Sequence, residues 1–501
     1  MSFFSFQVPL VMVSFEPITL FLAIVICLFL IYLVYGGKGT PPNFPPGPKP
    51  LPLIGNLHII NLKKPYMTFM ELGKKYGSVF RVQLGTEKVV VLCGYDAVKD
   101  ALINHAEEFS DRPIIETFHR RSNAGITFSH GENWKVMRRF TIATLRDFGM
   151  GKRTIEDRIN EECHSLVETF QSYKGEPFET NLIMNAAVAN IIVSILLGHR
   201  FEYQDPTLLK LIGLSNEMVR ILAYLWAKLY NAYPSVMKWL PGSHHNVIKN
   251  TQKSHTFIKE TFTEHKAQLD INDQRDFIDA FLAKQSEEKP NPGLFFHNEN
   301  LVSLVDGLFV AGMETTSTTL RWGLLLMMKY PEIQKKVQDE INKVIGSAQP
   351  QTEHRKQMPY TDAVIHEIQR FADIIPANLP HATTKDVTFR GYFIPKGTQV
   401  IPMLTSVLRD KDYFERPYEF YPQHFLDSEG NFVKNEAFLP FSAGKRSCAG
   451  ETLAKMELFL FFTNLLQNFT FQPPPGQDLN LTTTGGFTSI PMVHKICALS
   501  R

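Results

Sequence analysis

Cys448 stands in Phe441-Ser442-Ala443-Gly444-Lys445-Arg446-Ser447-Cys448-Ala449-Gly450, just ahead of an amphipathic stretch from Glu451 to Phe462. A thiolate at a helix entry is stabilised by unpaired backbone N–H groups and by the positive end of the helix dipole. Gly444 and Gly450 allow tight turns and close backbone approach to a flat ring. Arg446 supplies a fixed cation for a carboxylate. The set suits a thiolate bound to a metal, with a flat ligand against the loop. A lone buried cysteine beside a helix is ordinarily structural. Here the spacing F-x-x-G-x-R-x-C-x-G separates it from that case, since five fixed positions match by chance with odds of roughly one in ten thousand.

Three further constellations could do chemistry. In Ala311-Gly312-Met313-Glu314-Thr315-Thr316, small residues let a bulky partner lie against a helix. The Thr315 hydroxyl can bond back to the carbonyl of Ala311 and loosen the helix locally. Trp134 and Arg138, in Trp134-Lys135-Val136-Met137-Arg138-Arg139, set an aromatic and a cation one turn apart. Glu367-Ile368-Gln369-Arg370 places opposite charges at i and i+3 on one helical face.

The elements that must position these residues are legible in outline. Hydrophobic residues make up 44% and charged residues 20% of the 501, enough to bury a large core. Lys and Arg total 52 against 50 Asp and Glu, a net charge of +2 that argues against nucleic acid as a partner. The five cysteines (Cys27, Cys93, Cys163, Cys448 and Cys497) are odd in number and scattered, which argues against a disulfide framework and for a reducing compartment. Ile18 to Tyr35 is an uncharged run of 18 residues, about 27 Å long as a helix and close to a hydrocarbon core. Glu16 precedes it, and Lys38 and Lys49 follow, so the positive-inside rule puts the body in the cytosol. The run reads as an anchor over residues 1–37. A proline-rich hinge, residues 38–50, follows as a stiff extended spacer. From residue 51 to 501 the chain reads as one large domain, mainly α with small peripheral β-sheets. Gly77 to Gly94 predicts a hairpin. Trp134 to about Asn291 reads as mostly helical, and Leu301 to Tyr330 as a long helix stopped by Pro331. Thr388 to Val400 reads as strand–turn–strand, and the proline-broken tail from Phe469 as β.

The cysteine loop resembles the haem-binding signature of the cytochrome P-450 superfamily, and the other motifs follow in that family's order from the anchor to near Arg501. The resemblance is greatest to the vertebrate microsomal family-2 type. It implies a P-450 fold with one N-terminal transmembrane helix and haem b between the long helix and the cysteine loop, with Cys448 as axial ligand to the iron. It also implies that Thr315 and Glu314 serve oxygen activation and proton delivery. Arg112, Trp134, Arg138, His381 and Arg446 would contact the haem propionates. Phe128, Phe309, Ala311, Ile375, Leu379 and Phe487 would line an apolar substrate pocket. Glu367 and Arg370 would form a structural pair with a third residue from Phe420-Tyr421-Pro422-Gln423-His424-Phe425, where many family members carry Arg in place of His424.

The activity so implied is monooxygenation. One atom of O2 enters a lipophilic small molecule such as a fatty acid, steroid or xenobiotic, at the endoplasmic reticulum membrane. Electrons would come from NADPH through a separate flavoprotein reductase, with cytochrome b5 as a further partner. No GxGxxG loop is evident in this chain, in keeping with an external donor. Lys135, Arg139 and Lys445 would lie on the face nearest the thiolate and attract an acidic partner. Two other readings share the signature. A haem-thiolate isomerase or dehydratase would turn over without NADPH, and a non-catalytic haem or lipid carrier would consume none on binding its ligand.

Overall fold

The computed structural model describes residues 17–35, 39, 41–117, 123–222, 225–288, 295–484 and 487–501. Residues 1–16 and 36–37 of the expected anchor, residues 38 and 40 of the expected hinge, and Asn291 lie outside them.

From Leu301 onward apolar residues recur every three or four positions, and the chain forms a 32-residue helix, Asn298–Lys329. At 1.5 Å per residue this long helix runs about 48 Å. Pro331 opens the next helix, Pro331–Val344, where its missing N–H costs nothing. Two glycines let neighbours approach the long helix. A Cβ on Gly312 would meet Ile192 at 3.4 Å, and one on Gly323 would meet Ile368 and Phe462 at 3.3 Å. Ile192 belongs to Asn181–Leu196, a helix apolar nearly all round and buried accordingly, and Phe462 to Glu451–Asn468, the helix after Cys448. Gly131–Asp147, Arg153–Ser172, Pro206–Leu222, His244–Ala267, Phe277–Glu287 and Pro359–Ala372 complete a mainly helical body.

The sheets are small and peripheral. Val79–Leu84 pairs with Glu87–Leu92 in the expected hairpin, Gln399–Pro402 joins in parallel, and His381–Ala382 closes the far side. The stretch from Thr388 to Val400 divides between two sheets. Val387–Phe389 and Tyr392–Ile394 form a ribbon, and the chain beyond Gly397 leaves it for the first sheet. The tail is β as expected: Lys495–Ser500 pairs with both Phe469–Gln472 and Phe178–Glu179.

Pro17–Tyr35 is helical over 19 residues, and its described side chains, Pro17 and 19–30, are all exposed. Among the described residues no helix is long and apolar enough to cross a membrane. Part of the proline segment packs on the body. Arg81 donates from its backbone N to Pro46 O at 2.7 Å and from Nη1 to Pro45 O at 3.1 Å, and Phe44 is buried. A Cβ on Gly47 would fall 2.1 Å from Arg81 O, so the segment lies flat on the first strand.

Glu367 and Arg370 are both fully buried on Pro359–Ala372 and form a bidentate pair, with two bonds of 2.7 Å. Arg370 also donates to the carbonyls of Leu408, Pro417 and Glu419 at 2.7–2.9 Å. Glu367 accepts from Tyr421 N at 2.7 Å and from His424 Nδ1 at 3.2 Å. His424 Nε2 accepts the Arg416 N–H at 3.1 Å, which fixes the neutral tautomer with its proton on Nδ1. His424 thus completes the pair without adding a cation. Removing one partner of such a pair strands the other charge. Arg370→Leu should therefore cost about 3–5 kcal/mol of stability in chemical denaturation. A loss below about 1 kcal/mol would show that the pair is not a buried ion pair in solution.

Candidate active site around Cys448

Ser442 and Gly444 take positive φ, 60° and 70°, and fold the chain into a tight loop. At Gly444 only glycine fits, because a Cβ would lie 1.8 Å from Leu102 O. Cys448 N donates to Phe441 O at 3.0 Å and closes the loop, and Asn378 Nδ2 ties it to the body through Ser442 Oγ at 2.9 Å. The thiol has two environments at once. The residue is exposed, yet enough protein surrounds its thiol to desolvate it. Burial pushes its pKa up, and the N–H groups of Gly450 and Glu451 at the helix start pull it down, with Arg138 aiding them. The helix entry thus acts as the sequence implies, but burial outweighs it. A cation at the sulfur would reverse the balance.

Beside the loop lies a cluster of cations held by backbone carbonyls. Arg446 donates to Ser110 O at 2.7 Å, Ile126 O at 3.2 Å and Ser129 O at 2.7 Å, and its guanidinium stacks 3.8 Å from the Trp134 ring centroid. Arg112 donates to Thr127 O, Leu379 O and Pro380 O at 2.8–3.2 Å. Arg138 donates to Ser447 O at 2.7 Å. Burial pulls the pKa of Arg446 down to about 8 and that of Arg112 to about 9, and neighbouring guanidinium charges push the same way. Asp111 partly offsets both arginines, and its carboxylate is shared with His130 at 2.8 Å. Two buried ring nitrogens here, Trp134 Nε1 and His381 Nε2, have no partner within the protein. His381 gives Nδ1–H to Phe109 O at 2.7 Å, and burial beside Arg112 holds its pKa well below the usual range. Nε2 can donate only from the imidazolium, which an adjacent anion would favour. Such surplus positive charge and unpartnered ring nitrogens cost several kcal/mol in isolation. The two carboxylates of haem b fit this surplus of positive charge and the unmet Trp134 donor. All five residues singled out from the sequence converge here, although Arg446 already spends three of its N–H groups on carbonyls.

The long helix passes over the same region. Thr315 Oγ1 donates to Ala311 O at 2.7 Å, the bond read from the sequence. The helix runs continuously through this bond, from Asn298 to Lys329. Glu314 is buried on a different face, its carboxyl in contact with Thr318 and Thr488 hydroxyls at 3.4 and 3.5 Å. Burial raises its pKa against the pull of Arg321. The chain segments carrying the six apolar residues also meet here. Thr127, beside Phe128, approaches Gly307 two residues before Phe309. Arg112 grips Leu379 O, Ser489 N donates to Ile374 O beside Ile375 at 2.8 Å, and Thr488 follows Phe487. Phe128 and Phe309 are buried, Ile375, Leu379 and Phe487 half-buried, and Ala311 exposed. Of the three cations proposed for docking, Lys135 is paired with Glu132 at 2.6 Å and Lys445 with Glu107, and Arg139 is exposed.

Two features escaped the sequence reading. Glu457, fully enclosed on Glu451–Asn468, accepts from Thr316 Oγ1 at 3.1 Å and so joins the thiol's helix to the residue after Thr315. Asn300 gathers several bonds at the start of the long helix. Each looked like one polar position among many in an amphipathic pattern. A Glu between Met456 and the run Leu458 to Phe462 was the available signal.

The match of the chain to known proteins agrees with this geometry. Residues 45–498 match the family model described as Cytochrome P450. The chain belongs to the cytochrome P450 family. It is 49% identical over 488 residues to cytochrome P450 2K1 of Oncorhynchus mykiss, which covers 96% of this chain and 97% of that one. Against cytochrome P450 2G1 of Oryctolagus cuniculus the identity is 45% over 487 residues, 96% and 99% of the two chains. This P450 is thus a haem b protein with a cysteine thiolate on iron, a monooxygenase of lipophilic substrates served by redox partners.

Burial pushes the Glu457 carboxyl up to about 8 from 4.5. The folded protein then keeps a proton that the unfolded chain gives up, so this group lowers stability as pH rises through that window. Glu457→Gln should gain stability relative to wild type between about pH 5 and 8 when both are unfolded in urea. Parallel pH profiles would remove the buried acid.

Proposed function

We propose that Cys448 is the thiolate ligand in this P450, and that Arg112, Trp134, Arg138, His381 and Arg446 hold the haem propionates. The carrying observation is the surplus of buried cations and unspent ring nitrogens beside a thiol loop. Bound haem b supplies the activation of O2, one atom entering the substrate and the other leaving as water. The residues of this chain do the rest. Phe128, Phe309, Ala311, Ile375, Leu379 and Phe487 select for apolar shape, exclude water and offer no charge to a polar ligand. The Thr315 hydroxyl, its one proton held by Ala311 O, offers its lone pairs to a water on the helix face and so orders it. Glu314, whose burial favours its protonated form, can pass a proton to that water. Because the two lie on different helix faces, a water must bridge them.

Electrons come from NADPH through a flavoprotein reductase, with cytochrome b5 as a second donor, docking near Arg139, Lys135 and Lys445. Two of these cations hold partners of their own, Glu132 and Glu107, which acidic residues of the donor would displace. Residues 1–37 anchor the protein in the endoplasmic reticulum membrane and 38–50 set the height of the catalytic domain, 51–501. The apolar helix Pro17–Tyr35 supports an anchor. So does a second patch: Trp239, Val236, Leu240 and Ile54 are exposed, and Tyr233 OH ties their segments together through Leu53 O.

In reduced protein under carbon monoxide, wild type should show the strongly red-shifted Soret band of thiolate-bound haem, and Cys448→Ser should lose it. Persistence in the variant would refute the ligand. Thr315→Ala should keep the band and divert NADPH electrons into peroxide or water, so unchanged coupling would remove its role. Deleting residues 1–37 should weaken membrane sedimentation without abolishing it. Unaltered sedimentation would locate the anchor elsewhere.

A further inference from the structure

Residues 123–129 carry Phe128 and form neither helix nor strand. Their shape is imposed from outside. Arg446 holds the carbonyls of Ile126 and Ser129, and Arg112 holds that of Thr127. Two asparagines supply further external ties. Asn133 Nδ2 donates to Asn123 O at 2.9 Å, and Gly125 N donates to Asn300 Oδ1 at 2.8 Å. Gly125 has a positive φ of 71°, and a Cβ there would come within 3.2 Å of Ser303, so the segment sits hard against the long helix.

Asn300 is fully buried and its amide is fully used. Nδ2 donates to Asn133 Oδ1 at 2.7 Å and to Phe295 O at 2.6 Å. Oδ1 accepts from Gly125 N and from Asn133 Nδ2 at 3.3 Å. Two donors and two lone pairs are thereby satisfied, and a flipped amide would set NH2 against the Gly125 N–H. Asn300 lies on the same rigid helix as Phe309 and Thr315, about 14 and 22 Å before them. Asn133 lies one residue before Trp134. The pair therefore registers the Phe128 segment against the helix that carries the oxygen-side residues, without touching the pocket.

We infer that Asn300, with Asn133, is a specificity-determining positioning residue that sets where Phe128 stands over the pocket. This rests on the reading that Phe128 lines that pocket. Unlike Arg112 and Arg446, these asparagines make none of the proposed propionate contacts, so they can be varied while the haem clamp stays intact.

The test uses full-length, haem-loaded ferric protein and two iron-binding probes, imidazole and the bulkier 4-phenylimidazole. The ratio of their dissociation constants, from difference spectra, reads the space above the iron whatever the natural substrate. Phe128→Ala should shift this ratio at least about threefold. Asn300→Asp, which keeps an oxygen and loses both donors, and Asn133→Ala should each shift it by a similar factor, with the carbon monoxide band unchanged. Added to Phe128→Ala, either asparagine change should shift it no further. Faster amide exchange at Gly125 in Asn300→Asp would agree. If Phe128→Ala moves the ratio and both asparagine variants leave it alone, the inference is overturned and the pocket reading stands. If Phe128→Ala has no effect, the pocket reading itself fails and the inference with it. An asparagine effect of equal size with and without Phe128 would also overturn it. Should Asn300→Asp not accumulate as folded protein, Asn133→Ala decides alone.

Discussion

Two buried guanidiniums, those of Arg112 and Arg446, do what a sheet would do in another fold. Between them they donate to six backbone carbonyls, drawn from residues 110, 126, 127, 129, 379 and 380. Each of those segments is irregular, and its carbonyls would otherwise need water or secondary structure. The cross-links bring the cysteine loop, the Phe128 segment and the chain after Pro359–Ala372 to one place. Their cost is positive charge confined in a low dielectric, where neighbouring guanidiniums destabilise one another. A dianionic cofactor neutralises that charge, so cofactor binding and closure of this region are coupled thermodynamically.

The second buried ionic assembly is built on the opposite principle. Glu367 and Arg370 balance within the protein, every donor of the pair meets an oxygen, and His424 enters as a neutral donor. Nothing is left over for a ligand. One network is thus complete as folded and serves architecture, and the other is incomplete and serves binding. The difference lies in whether polar atoms remain unspent, since both are buried and both use arginine.

Local features were legible from sequence because their causes are local. The Val-rich hairpin, the long helix ending before Pro331 and the Thr315–Ala311 bond depend on spacing within a few residues. The cysteine loop was legible because Gly444 and Cys448 have a fixed separation. What escaped depends on contacts between residues far apart in the chain. Asn300 and Asn133 are 167 apart, and each is unexceptional in its own helix. Glu457 interrupts an apolar face by a single residue, a break that only its neighbour Thr316 explains. The proline segment read as a stiff extended spacer, and nothing near it announces Arg81, whose backbone receives it. The transition from ribbon to sheet after Gly397 was hidden for the same reason. Its partner strand lies some 300 residues earlier.

That parallel pairing of Glu87–Leu92 with Gln399–Pro402 has a consequence for the birth of the protein. During synthesis the hairpin emerges early, but its hydrogen-bonding edge has no mate until four-fifths of the chain has been made. At about 5–20 residues per second the wait is on the order of fifteen seconds to a minute. Throughout it, the valines of Glu87–Leu92 offer an open template to any extended segment nearby. The charged Glu87 and Lys88 occupy one end of that strand, and the proline segment, laid along the first strand, covers the hairpin's other edge. The nascent chain therefore protects one side of its first sheet at once and leaves the other to chaperones or to speed.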